Sequence, residues 1–342
     1  MTENTTIKKP RILQTAITFF ILAAILAATA LWQIRSFTTT PARINGQEKI
    51  FTIEKGESLA HISKKLAEQE LVKNGFLFRL LVQYRKVSKK IQSGEYALSS
   101  SMTPEELLAI IVKGRVILHR LTIPEGMNLE ETALLVETAG FGTREDFLKF
   151  TRDPGIAANL KVPADNLEGY LFPETYFFPK DTTQKEINQQ MVHRFHKVFT
   201  PQWQERSHAL GFSIHEIVTL ASIIEKETGD SSERPIISSV FHNRLKKGMR
   251  LESDPTVIYG IFNFNGNITK KDLMNLTPYN TYKIEGLPRG PIANPGKLSL
   301  EAALFPISSD FLFFVSKKNT THTFSTNFRD HNRAVERYQL GK

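Results

Sequence analysis

The chain has 342 residues, 41% of them hydrophobic and 23% charged, with a formal net charge of +9 and no cysteine. That length suits two folded domains better than one small core, and the missing thiols exclude disulfides, thiolate catalysis and cysteine-built metal sites. The basic balance suits an anionic partner, but the longest clusters are only pairs such as Lys64-Lys65, Lys89-Lys90 and Lys246-Lys247, and no zinc-finger, RNP-type or helix-turn-helix signature accompanies them, which argues against a nucleic-acid binder.

The first predicted element is a membrane anchor at 12–34, behind a short tail at 1–11. Leu13 to Ile34 carries no charge, and its centre reads "FFILAAILAATALW". At about 1.5 Å rise per residue the stretch crosses a bilayer core. Lys8, Lys9 and Arg11 precede it and only Arg35 and Arg43 follow closely, so the positive-inside rule places the N-terminus in the cytoplasm and the body outside. Trp32 stands where an interfacial anchor is expected. Ala28-Thr29-Ala30 has the small-x-small form of a signal-peptide cleavage site, yet the apolar run is longer than a usual signal core, which favours an uncleaved anchor.

Residues 35–48 are polar, contain Pro and Gly, and read as a linker. Residues 49–150 read as a small α+β unit. It opens with "FTIEKGESL" (51–59): a strand, a Gly turn, then a helix with Ser58 as N-cap and Leu59, Ile62, Leu66 and Leu71 at helical spacing. The pattern returns as "LTIPEGMNL" (121–129), running into a helix over 130–139. Between the copies, "GEYALSSSMTPEELLAIIVKG" (94–114) predicts a strand, a helix with Pro104 in its first turn, and a cap at Gly114. Strand, Gly turn, helix resembles the opening of a LysM module, and such modules bind glycans containing N-acetylglucosamine.

Residues 151–342 predict a mixed α/β domain. An aromatic stretch broken by prolines, "NLEGYLFPETYFFPK" (166–180), precedes helices at 184–199, 214–227 and 233–249. Loops dense in Gly, Pro, Asn and Tyr follow, then strands at 311–316 and 321–326 and a basic helix from Arg329. Such loops are where function tends to sit. Aromatic faces suit sugar rings and polar side chains suit their hydroxyls, so Tyr170, Phe172, Tyr176, Tyr259, Tyr279, Asn280 and Tyr282 are candidates for a saccharide groove. Each aromatic competes with plain packing, which is the commoner role.

In "LASIIEKETGD" (220–230) two carboxylates interrupt an apolar helix. On a helical wheel the apolar stripe is Ile214, Ile217, Leu220, Ala221 and Ile224, with Glu225 and Glu227 near its opposite edges. A half-buried carboxyl loses hydration of its charged form and gains the raised pKa that a general acid needs. The wheel does not choose between the two, and periodicity alone favours a solvated helix end. Metal chemistry scores poorly: His193 and His196 lack a carboxylate at a ligand spacing. Ser-His-Asp catalysis lacks a nucleophile elbow, and no Gly-rich phosphate loop follows a strand. No cofactor is expected.

Five ordered motifs then carry a resemblance: "LEGYLFPETY" (167–176), "LASIIEKET" (220–228), "RLESDPTVIYG" (250–260), "YNTYKIEGLPRGPIANPG" (279–296) and "HTFSTN" (322–327). Behind one N-terminal anchor, they closely resemble the endolytic murein transglycosylase family of YceG-like proteins, over nearly the whole chain after the anchor. The resemblance implies an inner-membrane protein with a periplasmic body. It also implies a LysM-like subdomain and a catalytic domain that cleaves the MurNAc–GlcNAc β-1,4 bond of nascent peptidoglycan, leaving 1,6-anhydro-MurNAc ends and terminating strand elongation. Association with peptidoglycan synthases is implied too. The family's catalytic glutamate matches Glu227. Asp254 and Glu174 are the carboxylates available for the second role that a hydrolase needs, and are read instead as groove or loop-fixing residues. A lysozyme-like hydrolase and a non-catalytic peptidoglycan-binding scaffold are the rival readings.

Overall fold

Helix α1 (Pro10–Thr39) opens the computed structural model, which describes residues 10–341. Its segment Thr15–Thr39 is long and apolar enough to cross a membrane, with a mean hydropathy of 2.1, and Phe19 and Phe20 stand exposed on it. Lys8 and Lys9 lie outside the described residues. The helix runs past the expected end at Ile34. Thr38 and Thr39 bond back to the Arg35 carbonyl, Phe37 packs on the core of the first unit, and Pro41 disfavours helix at the residue before it. The linker is correspondingly shorter.

The chain divides into two compact units, up to Leu118 and from His119 onward. In the first, β1 (Glu48–Ile53) leads through α2 (Leu59–Glu68) and α3 (Gly75–Tyr84) to β2 (Gly94–Ser99), and α4 (Pro104–Val112) follows. Strands β1 and β2 pair antiparallel with Phe51 opposite Tyr96. Those two rings, Ile62, Leu66, Phe78 and Leu107 form the buried core. Ser58 caps α2 as the sequence predicts, accepting from the His61 N–H, and Pro104 stands in the first turn of α4, behind a capping box of Thr103 and Glu106. Helix α3 lies outside the predicted elements. Its signal is Asn74, which caps an apolar run too continuous to show a face.

The second unit starts earlier than residue 151. Strand β3 (His119–Thr122) is followed by α5 (Leu129–Thr138), α6 (Arg144–Thr151) and α7 (Pro154–Asn159), and pairs antiparallel with β4 (Thr175–Phe178). Residues 119–150 therefore belong to the second unit, because the partner of β3 lies beyond them. The internal repeat is real in the backbone: Gly56 and Gly126 take the same left-handed conformation, φ +80° and +79°, each between a strand and a helix. Next come α8 (Gln184–Val198), α9 (Pro201–Ala209), α10 (Ile214–Glu227), α11 (Arg234–Lys246), α12 (Asp254–Tyr259), α13 (Lys270–Met274) and α14 (Lys297–Leu304). The hairpin β5 (Phe313–Ser316)–β6 (His322–Ser325) and α15 (Phe328–Val335) close the unit.

Helix α10 is the axis of this unit. Ser213 and Glu216 form its capping box, and residues 217–224 are buried without a break. Helices α9, α11, α12 and α14 all pack against it. A helix enclosed on so many sides fixes the side chains that leave its last turn.

Candidate active site

The last turn of α10 carries Glu225 and Glu227 into different surroundings. Glu225 is 5% exposed and accepts from Arg234, itself 8% exposed, at 2.8 Å. Its other oxygen accepts the Gly296 N–H at 2.9 Å. Arg234 also reaches Glu125 at 3.5 Å. Burial, with the nearby Glu225 charge second, raises the Glu125 pKa. Between the two glutamates, the Lys226 ammonium donates to the Gly126 carbonyl. The left-handed turn of the second repeat is thus fastened to the end of α10.

Glu227 has no cationic partner in hydrogen-bond contact among the described residues. It accepts from the Ser253 hydroxyl. Burial pushes its pKa up to about 7; the Ser253 bond and the Arg244 cation pull it down, and the Asp254 charge pushes it up. Ser253 occupies the N-cap position of α12, where a serine oxygen ordinarily accepts a helix N–H. Here it makes no cap bond and turns to Glu227. Asp254 accepts from the Tyr282 hydroxyl at 2.7 Å. Arg244 is held by the Leu312, Arg250 and Leu251 carbonyls and the Glu252 carboxylate. Glu227 therefore titrates near neutral pH, where it can hold a proton, give it up and regain it.

A second buried carboxyl lies away from this turn. Glu168 accepts from the Leu129 N–H at 3.1 Å and from the Tyr259 hydroxyl at 2.9 Å. Burial pushes its pKa up to about 7 as well. It borders a cleft of about 500 Å³ that Asp165, His215, Tyr279 and Arg289 also line.

The structure separates the residues that the sequence reading grouped as one groove. Asp254 and Tyr282 stand beside Glu227. Tyr259 and Tyr279, their rings 4.7 Å apart, stand beside Glu168, and the Tyr259 hydroxyl is committed to it. Tyr170 is fully buried, packed on Phe195 with its hydroxyl 3.0 Å from His215 Nδ1, so it belongs to the core. Phe172 and Tyr176 are buried too. Asn280 is 1% exposed, and its amide nitrogen donates to the Asp272, Leu273 and Asn275 carbonyls; it braces a loop. Glu174 pairs with Arg194 through both of its oxygens, on a cleft of about 790 Å³ shared with Phe177, Gln190 and His193. Glu227 lines neither cleft.

Sequence reasoning missed Ser253, Arg244 and the Glu225–Arg234 pair. A serine before Asp-Pro announces a helix start, and nothing in its spacing says that it faces residue 227.

The profile of the YceG-like family matches residues 51–337. A Bacillus subtilis (strain 168) protein named endolytic murein transglycosylase is 33% identical over 309 residues, which cover 85% of this chain and 84% of that protein. A Streptococcus pneumoniae (D39) protein of the same name is 28% identical over 361 residues, 95% of this chain and 65% of its own length. The crystal structure of a yceG-like protein from Listeria monocytogenes superposes with a TM-score of 0.59 at 34% identity, covering 84% of this chain and 98% of that one.

Proposed function

Since the chain belongs to the YceG-like family, we propose that it is a peptidoglycan lytic transglycosylase whose acid and base are the same group, Glu227. The observation that carries this reading is the last turn of α10: a half-buried carboxyl with a pKa of about 7, bonded to the neutral Ser253 hydroxyl instead of a cation. Protonated Glu227 gives its proton to the oxygen of the MurNAc–GlcNAc β-1,4 bond as that bond breaks. Positive charge develops at C1 of MurNAc, and the sugar's own C6 hydroxyl closes onto it. Glu227, now ionised, takes the hydroxyl proton. The enzyme ends as it began, and the product carries a 1,6-anhydro end without consuming water.

Asp254 beside the site adds negative charge that keeps the proton on Glu227 and supports the positive charge forming on the sugar. A lysozyme-like hydrolase would instead use Asp254 as its second carboxylate, to form a covalent intermediate or activate water. Cleavage in H₂¹⁸O separates the two: transglycosylation leaves anhydro ends free of ¹⁸O, and hydrolysis puts ¹⁸O at every new reducing end.

We read α1 as a single-pass anchor in the inner membrane, with the N-terminus cytoplasmic and the body periplasmic. Its apolar run and the Lys8, Lys9 and Arg11 bias support that orientation. Internal cleavage by a membrane-held enzyme then falls on nascent strands and ends their elongation, and peptidoglycan synthases are the partners this placement favours. The first unit, β1–α2–α3–β2, is a LysM-like glycan holder. A cleft of about 280 Å³ beside the Gly56 turn, lined by Glu54, Ser88 and Ser93 among others, presents polar groups to a sugar. A scaffold without chemistry would have no use for a neutral acid at the end of α10.

A further inference from the structure

Glu168 takes no part in the chemistry above, yet it is 4% exposed and built into the centre of the second unit. Its Oε2 accepts from Leu129 N and from the Tyr259 hydroxyl, while Oε1 is buried without a partner among the described residues. Leu129 begins α5, so its N–H is one that the helix cannot satisfy by itself. The backbone behind the carboxyl is fixed as well. Asn166 Oδ1 accepts the Glu168 N–H at 2.8 Å. Gly169 has φ +86°, and a Cβ there would lie 2.6 Å from Pro291 and 2.9 Å from Val218 of α10. The chain at 168–169 therefore sits against the helix that carries Glu227.

Tyr259 is the last residue of α12, and Ser253 and Asp254 are its cap and first residue. The near end of this short helix is pinned by Thr281, whose hydroxyl is 2.8 Å from that of Thr256 and accepts the Ser253 N–H at 2.9 Å. The Tyr259–Glu168 bond pins the far end. We propose that Glu168 is a positioning residue for the reaction: it holds Tyr259, and through α12 it sets where the Ser253 hydroxyl meets Glu227. The inference rests on the reading of Glu227 as the acid.

The consequence is electrostatic. The Ser253 hydroxyl stabilises the ionised form of Glu227, so loosening α12 raises the pH at which Glu227 loses its proton. Other groups act on these carboxyls and stay in place in the variants below. Glu131 and Arg152 act on Glu168, with Asp165, His215 and Arg289 on the adjoining cleft. Asp254 and Arg244 act on Glu227.

The test titrates the full-length chain in detergent, with ¹³C-carboxyl glutamate, the Glu227 resonance being assigned by its loss in Glu227→Gln. Tyr259→Phe and Glu168→Ala should each move its midpoint upward by about 0.5 in pH, and the double variant no further than either. In parallel, kcat should fall about fivefold with KM within about twofold. Glu168→Gln, which keeps an acceptor for Tyr259, should restore most of the rate. An unmoved midpoint in both single variants, or shifts that add in the double variant, overturns the proposal. Should Glu168→Ala not fold, Tyr259→Phe decides alone. A wild type that cleaves no glycan removes the cleavage reading and the positioning role with it, whereas an active wild type with unmoved midpoints removes the positioning role alone.

Discussion

Glu225 and Glu227 leave the same helical turn, two residues apart, and meet opposite chemistry. On one side, Glu225 is locked between Arg234 and the Gly296 N–H, and the cluster extends to Glu125. A carboxylate so paired is a fastener, joining the end of α10 to α11, to the turn at Gly126 and to the loop before α14. On the other side, Glu227 meets a hydroxyl, with Arg244 and Asp254 acting on it in opposite directions. Burial without a contact cation leaves it able to hold a proton at neutral pH. The lesson is that depth in the structure does not assign a role to a carboxyl; the nature of its partner does.

The largest effect is expected on the Glu225 side. Arg234→Met leaves a carboxylate buried without its cation, which costs about 3–5 kcal/mol. Denaturant melts at neutral pH should show that loss. A chain as stable as the wild type would mean that the pair is not the fastener described.

Next comes the pH dependence of stability. The folded pKa of Glu227, about 7, lies above its ordinary value of 4.5. Its contribution is therefore fully present below about pH 4.5 and is lost as pH rises through about 7. Glutamine is neutral throughout, so Glu227→Gln should melt above the wild type at pH 8, with the gap closing towards pH 5. A gap that is constant with pH would place the proton elsewhere.

Ser253→Ala sharpens the same point by a smaller step. Removing the hydroxyl takes away the contact that favours ionised Glu227, so the alkaline limb of the cleavage profile should move upward. The rate at its optimum should drop by about tenfold or less. A downward shift would contradict the assigned hydrogen bond.

The smallest effects are at the two equivalent turns. Gly56→Ala and Gly126→Ala each force a side chain into the left-handed region, at about 1 kcal/mol. A Cβ meets no clash at either turn, but the Gly126 carbonyl accepts from Lys226 in the last turn of α10, whereas the Gly56 turn has no such tie to that helix among the described residues. Only the second should also reduce turnover. Equal turnover in both variants would detach the second turn from the site.

Local features were legible in the sequence where local forces decide them. Ser58, Thr103 and Pro104 mark helix starts because the cap is made within a few residues. The hairpin at 311–326 is legible because its strands are neighbours in sequence. The boundary at His119 was not legible, since β3 joins the second unit through β4, which follows three helices. Nor was the choice between the two glutamates: Arg234 and Ser253 arrive from separate elements, and a wheel sees only one helix. Tyr170 looked like a sugar platform because an aromatic beside Gly and Pro reads alike in a groove and in a core.

On the proposed mechanism, one carboxyl on the Ser253 side of this turn serves both proton transfers, while its neighbour holds the fold. Digesting purified peptidoglycan with full-length Glu227→Gln and Glu225→Gln and counting 1,6-anhydro-muropeptides by mass spectrometry, with melts as a folding control, separates the two roles. Glu227→Gln should fold and lose activity by about a thousandfold or more, and Glu225→Gln should melt earlier yet still release anhydro ends at a temperature where it remains folded. An active Glu227→Gln beside a folded but dead Glu225→Gln would contradict that mechanism.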